Sequence, residues 1–450
     1  MNLVIVGVGK VGETLVENLI KEEHDIVVVD VDAVRVSNVV NRFDVNGVSG
    51  SALERSVLVS AGVDKADFVI ACTNRDEMNI LCCVMARKLG AKRTIARVRD
   101  PQYFKEIENM RDDLGLDFFF NPELNTAIEI AEVLKFPSAI SVESFAGGRA
   151  NMVEFFISED NPIVGKTLGT ISKEYGNSVL VGMIQRGNEV IIPHGDSVIK
   201  KNDVIYIIGD ESEISLFVKK IKMHKRKVKN ALIIGGGKVG YYLAKELANS
   251  NIGVKIIEKD KQRAQELSEE LPLSTIIFGD GTDENVLAEE NLKNTDACIT
   301  LTGMDEENVI VALYATQQGV EKVVAKVDRP SVLGMVKKLG LDTAVSPRLV
   351  IANHIVRFVR AHQSDNANNI ATLYKLHDKV EAIEFTVSDT FVGVNTPIKN
   401  LKIKRGILIG GIVRDGKFIL PSGDTKFRRG DRVIVVTALK QITALTQILK

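Results

Sequence analysis

Gly7-Val8-Gly9-Lys10-Val11-Gly12 follows the apolar run Leu3–Val6 and returns, 228 residues on (235 − 7), as Gly235-Gly236-Gly237-Lys238-Val239-Gly240. Working outward, Asp30 returns as Glu258 and Arg35 as Arg263 at the same offset. Asp67, Thr73, Asp76-Glu77 and Pro101 return as Asp296, Thr302, Asp305-Glu306 and Pro330, each 229 residues on (302 − 73). Leu114-Gly115-Leu116-Asp117 returns as Leu339-Gly340-Leu341-Asp342 at 225 (339 − 114). Pro193-x-Gly195-Asp196 returns as Pro421-x-Gly423-Asp424 at 228 (421 − 193). Small drifts of this kind are what loop insertions leave. The chain is written twice, and a long internal repeat decides the architecture before any local pattern does.

Each half divides again. Short apolar strands (Leu3–Val6, Ile26–Val29, Phe68–Ala71, Thr94–Val98) alternate with amphipathic helices. The helix after the glycines carries Val11, Leu15 and Leu19 at i, i+4, i+8; its copy carries Val239, Leu243 and Leu247. That alternation predicts parallel strands joined by crossover helices. Asn121-Pro122-Glu123 and Ser346-Pro347 then announce a new helix, with a capping side chain and proline at the first helical position. Its apolar positions (Ile128, Ala131, Leu134; Val350, His354/Ile355, Phe358) suit packing on a neighbouring subdomain or chain. Beyond it come strands at Val153–Ile157, Val179–Ile184, Val190–Ile192 and Val204–Ile208, with a hairpin turn at Gln185–Asn188. The expected fold is α/β: two tandem Rossmann-like doubly wound parallel-sheet domains, each followed by a crossover helix and a small β-rich α+β domain. The expected boundaries are 1–120, helix 121–137, 138–224, then 228–345, helix 346–362 and 365–450. The basic run Lys222–Lys229 reads as a solvated linker.

A lone Gly-x-Gly-x-x-Gly says little. Here it follows a strand, opens a helix and is joined by an acid at the end of the second strand, 23 residues on (30 − 7). The first glycine makes the tight turn, the second lets backbone N–H groups approach a pyrophosphate, and the third permits close helix–strand packing. The helix N-terminus adds partial positive charge and unpaired donors. The candidate binding residues of the first site are Gly7, Val8, Gly9, Lys10, Val11 and Gly12 with Asp30. Ser51, Thr73, Asn74 and Arg97 join them at the strand ends. Those of the second are Gly235, Gly236, Gly237, Lys238, Val239 and Gly240 with Glu258, Asp280, Thr302, Gly303 and Lys326. Asp30 and Glu258 are placed to accept ribose hydroxyls and to repel a 2′-phosphate.

Composition narrows the classes. The chain has 450 residues, 45% hydrophobic and 26% charged, enough for several cores. Lys+Arg 58 against Asp+Glu 59 leaves a formal net charge of −1, which offers no footprint for nucleic acid. No apolar run approaches the ~18–20 residues of a membrane span, and the start reads as a strand rather than a signal peptide. The four cysteines show no metal-ligand spacing, and no metal site is expected. None of the six histidines sits in a repeated motif, so no catalytic residue is assigned. A soluble intracellular binding protein is expected; the alternative is an NAD-dependent oxidoreductase with duplicated nucleotide domains.

The two copies, Thr73-Asn-Arg-Asp-Glu-Met-Asn79, Ile95-Ala-Arg97, Gly165-Lys-Thr-Leu168 and the turns Lys201-Asn-Asp203 and Arg429-Gly-Asp431 together resemble the regulatory subunits of the Trk potassium-uptake system. Their modules are called regulators of potassium conductance. The resemblance covers essentially the whole chain and departs at Thr302-Gly303 (for Thr73-Asn74) and Lys326 (for Arg97). It implies a cytosolic homotetramer docked on the inner face of the cell membrane against an integral-membrane potassium channel or transporter subunit. It also implies NAD, NADH, ATP or ADP in the crevices as regulators of ion flow, and no enzyme activity.

Overall fold

A computed structural model describes residues 1–341, 343–362, 370–377, 380–389, 391–439 and 442–450. Asp342 of the repeated Leu-Gly-Leu-Asp, and residue 365, where the last domain was expected to begin, lie outside the described residues. Six parallel strands open the chain: β1 (Asn2–Val6), β2 (Asp25–Asp30), β3 (Asn46–Ser49), β4 (Phe68–Ala71), β5 (Arg93–Arg97) and β6 (Phe118–Phe120). Their order is 3-2-1-4-5-6. It reverses between β1 and β4, where such sheets open a crevice at the strand C-termini. Helices α1 (Lys10–Ile20), α2 (Ala33–Phe43), α3 (Arg55–Ser60), α4 (Asp76–Leu89) and α5 (Pro101–Met110) supply the crossovers. Covered on both faces, β4 is apolar and buried at every position.

α6 (Pro122–Lys135) starts as its sequence requires, with Asn121 accepting the Leu124 N–H at 3.0 Å and Pro122 in the first turn. An antiparallel sheet follows: β7 (Ser141–Phe145), β8 (Ala150–Phe156), β9 (Leu180–Arg186), β10 (Glu189–Ile191) and β11 (Val204–Gly209), in the order 10-9-11-8-7, with α7 (Leu168–Tyr175) and α8 (Glu211–Lys220). The second half repeats the plan. β12 (Asn230–Ile234), β13 (Gly253–Glu258), β14 (Ser274–Phe278), β15 (Ala297–Thr300), β16 (Lys322–Lys326) and β17 (Thr343–Val345) lie in the order 14-13-12-15-16-17. Their helices are α9 (Lys238–Asn249), α10 (Lys261–Glu270), α11 (Glu284–Glu289), α12 (Asp305–Gln317) and α13 (Pro330–Lys338). α14 (Pro347–Ala361) leads to β18 (Ile370–His377), β19 (Val380–Thr386), β20 (Ile407–Arg414), β21 (Lys417–Ile419) and β22 (Arg432–Thr437). The aspartates of the two repeated turns do equivalent work. Arg186 forks onto Asp203, and Arg414 onto Asp431, all four contacts at 2.8 Å.

The two halves exchange their connecting helices. α6 lays Ala127, Ile130, Ala131 and Leu134 on Tyr242, Leu243 and Val239 of α9. α14 lays Ile351, Ala352, Ile355 and Val356 on Leu15 and Leu19 of α1. Of the expected stripe Ile128, Ala131 and Leu134, the last two lie on this buried face and Ile128 does not. Ile128 is 41% exposed, because the buried face runs i, i+3, i+4, i+7 from Ala127. The two β-rich domains also close on each other, with Phe145, Met152 and Ile208 of one sheet against Ala382, Ile434 and Val436 of the other. Among the described residues, no helix is long and apolar enough to cross a membrane.

Candidate nucleotide site

The first glycine loop turns where only glycine fits. Gly7 has φ +91°, and a Cβ there would meet the Thr73 amide nitrogen at 2.8 Å. At Gly12 a Cβ would stand 2.0 Å from the Gly7 carbonyl oxygen, so the loop can close only over glycine. Gly9 is the reverse case: nothing lies within 4 Å of its Cβ position, and that open side faces the crevice. Gly9 is also the N-cap of α1 and has no side chain to cap it, which leaves the first N–H groups of the helix free for an anion. Asp30 at the end of β2 is held by two backbone donors, Val8 N–H at 2.8 Å and Asp32 N–H at 3.0 Å. Each carboxylate oxygen keeps further acceptor capacity for hydroxyls.

These parts border a cleft of about 820 Å³. Gly7, Gly9, Lys10, Val11, Asp30, Thr73, Asn74 and Arg97 line it. Val8, Gly12 and Ser51 do not: Val8 spends its N–H on Asp30, Gly12 lies under the loop, and the Ser51 hydroxyl accepts the Leu53 N–H at 3.3 Å. Arg97 is the most informative side chain. Its Nη1 donates to the Cys72 carbonyl at 3.5 Å, but its buried Nε has no partner. Burial, then Arg99 nearby, depresses its pKa. An orphaned guanidinium donor in a cleft that a helix N-terminus also lines fits an anion. Cys72 also lines the cleft, with its thiol donating to the Gly7 carbonyl at 3.1 Å and burial pushing it up to about 12. It is an inert thiol.

The far wall of this cleft comes from the other half. Gly237, Lys238, Val239, Leu301, Lys326 and Arg348 line it together with the first-half residues. This corrects the sequence assignment, which gave Lys238, Val239 and Lys326 to the second crevice alone. The exchange of connecting helices turns the α9 N-terminus and the β16 end toward the first site. In all, seven Lys and Arg side chains line the cleft against four carboxylates, an excess of positive charge suited to phosphates.

The second crevice is smaller, about 190 Å³, and is lined by Gly235, Gly237, Glu258, Asp280, Thr302 and Gly303 among others. Glu258 reproduces the anchoring of Asp30: it accepts Gly236 N–H at 2.7 Å and Asp260 N–H at 2.8 Å. The longer acid fits because Gly236 stands where the first loop has Val8. A Cβ on Gly236 would lie 3.1 Å from the Glu258 Oε2 and 2.3 Å from Leu267 Cδ1. Gly240 packs beneath this loop as Gly12 does beneath its own, a Cβ there reaching 2.4 Å from the Gly235 oxygen. The charge is inverted. Glu258, Asp280 and Glu307 face a single lysine, Lys259. The Thr282 N–H and hydroxyl bind Asp280 and hold its carboxyl below the usual range. Arg263, the copy of Arg35, donates to the Gly236 carbonyl at 3.2 Å.

Sequence reading passed over the side chains that set the crevice edges. Asn79, fully buried, accepts the Thr73 N–H at 2.8 Å and donates to the carbonyls of Thr73 (3.2 Å) and Arg97 (3.0 Å). Asn308 makes the same three bonds with Thr302 and Lys326. Asp76 accepts the Arg99 and Asp100 N–H groups, both at 2.8 Å, and Asp305 those of Asp328 and Arg329. The repeated Asp-Glu-x-Asn (Asp76–Asn79, Asp305–Asn308) was the available signal. Arg99, ion-paired to Glu123 at 2.7 Å, and Arg348 gave none. Among the described residues, no group of three or more His, Cys, Asp or Glu is placed to hold a metal.

Comparison with known proteins matches this architecture. Residues 3–122 and 231–347 match the TrkA-N domain, and residues 152–222 and 382–450 the TrkA-C domain. The chain is 35% identical over 463 residues to the Trk system potassium uptake protein TrkA homolog 2 of Methanosarcina mazei, with 100% of each chain covered. A solved GsuK channel bound to NAD superposes with a TM-score of 0.63 at 17% identity, covering 99% of this chain and 78% of that one. A GsuK structure bound to ADP gives 0.50 at 16% identity, covering 80% of this chain and 69% of that one. Both are likenesses of fold. With both halves matched end to end, the chain belongs to the TrkA family of Trk system potassium uptake proteins.

Proposed function

We propose that the chain is a nucleotide-sensing regulatory subunit of Trk-type potassium uptake. An adenosine-containing ligand (NAD, NADH, ATP or ADP) occupies the first cleft. The observation that carries the reading is the orphaned Arg97 Nε in the same cleft as an uncapped helix N-terminus, with a far wall that belongs to the other half. Asp30 takes the ribose, and the Gly9–Lys10 helix start, Arg97 and Lys238 take the phosphates. The smaller, acidic second crevice is the weaker nucleotide site. The Trk name of the relatives and the NAD and ADP bound by structures of similar fold support this reading. The partner is an integral-membrane potassium channel or transporter subunit, with the chain on its cytoplasmic face as a homotetramer.

Because the ligand touches both halves, its binding free energy depends on how they sit against each other. That is the differential affinity regulation needs. Moving a gate from 1:99 to 99:1 takes ~10⁴-fold discrimination. Four first sites acting together need only about tenfold each, ~1.4 kcal/mol, one or two hydrogen bonds' worth. α6 and α14, each packed on the other half, are the elements that shift. The cleft offers binding groups and an inert thiol rather than a proton relay, so ligand is held, not turned over. The test is potassium flux through vesicles holding the chain with its membrane partner, with each nucleotide added in turn. Flux that answers to nucleotide, with NADH unconsumed, is expected. Steady cofactor consumption, or binding without any change in flux, overturns the proposal.

A further inference from the structure

The phosphate loop lies at one end of α1, and a dry three-way ion pair lies just past the other. Glu22, two residues beyond the last residue of α1, receives the Arg360 Nε at 2.5 Å on its Oε2, with Nη2 of the same guanidinium also at 2.5 Å. Nη1 goes to the Glu381 Oε2 at 2.7 Å. All three residues are buried. Arg360 stands in the last turn of α14 and Glu381 on β19. A single cation thus joins the first nucleotide domain, the second connecting helix and the second β-rich domain. Charges taken out of water hold only in good geometry with their partners in place, so these three elements cannot drift apart independently.

The duplication supplies its own control. The first-half counterpart of Arg360 is Lys135 (360 − 225), which is partly exposed and pairs with Glu132 on its own helix. The counterpart of Glu22 is Ser250 (22 + 228), whose hydroxyl donates to the Glu246 carbonyl. Aligning Glu154-Phe155 with Glu384-Phe385 (384 − 154 = 230) makes Asn151 the counterpart of Glu381, and it bonds Ser144. The triad therefore occurs once. It sits on the helix that leaves the large, cationic first cleft, and not on the one that leaves the small acidic crevice. The apolar seam between α1 and α14 runs alongside it and makes the two helices one body.

We propose that Glu22–Arg360–Glu381 carries occupancy of the first cleft to the second β-rich domain, with Arg360 as a positioning residue that α1 moves and β19 follows. This rests on the nucleotide reading of the first cleft. Hydrogen exchange of the full chain with and without ADP tests both. In the unmodified chain ADP slows exchange in peptides covering residues 7–22 and alters it in peptides covering 380–387. In Glu381→Gln, and independently in Glu22→Gln, the response at 7–22 remains and ADP affinity stays within about twofold, while the response at 380–387 falls by about half or more. Lys135→Met, at the counterpart position, leaves both responses intact. A purely structural ion pair would lower Tm in the glutamine variants without separating the two regions. An undiminished response at 380–387 in both variants overturns the coupling alone. No ADP response at 7–22 in the unmodified chain overturns the cleft reading and the coupling with it.

Discussion

Asp30→Ala removes a carboxylate with two separable duties. It orients the loop, accepting Val8 N–H at 2.8 Å and Asp32 N–H at 3.0 Å, and it faces the first cleft, which it lines. Losing a charged acceptor for ribose hydroxyls costs ~1.5–3 kcal/mol, or about 10–100-fold in Kd. Stranding the Val8 N–H costs a further ~1–3 kcal/mol of fold stability, visible as a lower Tm without ligand. Asp30→Asn separates the duties, since its single carbonyl oxygen still serves one of the two N–H groups while the charge is gone. It should keep more of the Tm than Asp30→Ala and still bind more weakly than the unmodified chain. Glu258→Ala is the matched control. It strands the Gly236 and Asp260 N–H groups in the same way, and because Glu258 does not line the first cleft it should cost affinity there much less than Asp30→Ala does. Calorimetry against NADH, ATP and ADP reads all three variants. Undiminished affinity of Asp30→Ala for every one of these ligands would refute the placement of the ribose on Asp30.

The glycines should divide by mechanism: Gly12→Ala, facing the Gly7 oxygen at 2.0 Å, lowers Tm sharply, whereas Gly9→Ala, with open space around it, folds normally and loses nucleotide affinity by about tenfold. Equal Tm for the two would contradict the loop geometry. A pH effect should arise where α6 meets α14. Glu129 on α6 and Glu143 on β7 lie within electrostatic reach of Arg357; burial raises both carboxyls, Glu129 raises Glu143 further, and Arg357 draws both partly back. The folded chain then holds a proton that the unfolded chain gives up near the ordinary Glu value of ~4.3. That contribution is fully present below this value and is lost as pH rises through the raised folded one. His354, held neutral with its pKa lowered to about 3, acts oppositely in the acid range, so the comparison must be with Glu129→Gln. The Tm advantage of Glu129→Gln over the parent should grow with pH across that window; a flat difference would remove Glu129 from the pair.

Much of this molecule is local, and what is local can be read along the chain. The glycine loops, the acids 23 residues on, the proline-started connecting helices and the doubled plan all depend on steric and hydrogen-bonding preferences within a few dozen residues. Even the pairing of Gly236 with Glu258 against Val8 with Asp30 lies in plain view once the copies are aligned. The docking of one half on the other is a different matter. Nothing near Lys238 or Lys326 says that they face the first cleft, and nothing near Arg360 says that its partners are Glu22 and Glu381. Nor do two near-identical loops announce that one opens on about 820 Å³ with an excess of cations and the other on about 190 Å³ with an excess of carboxylates. Those differences arise from burying α6 and α14 each against the opposite half. The choice is made by apolar area and ion pairing between residues more than a hundred positions apart, which no local spacing encodes.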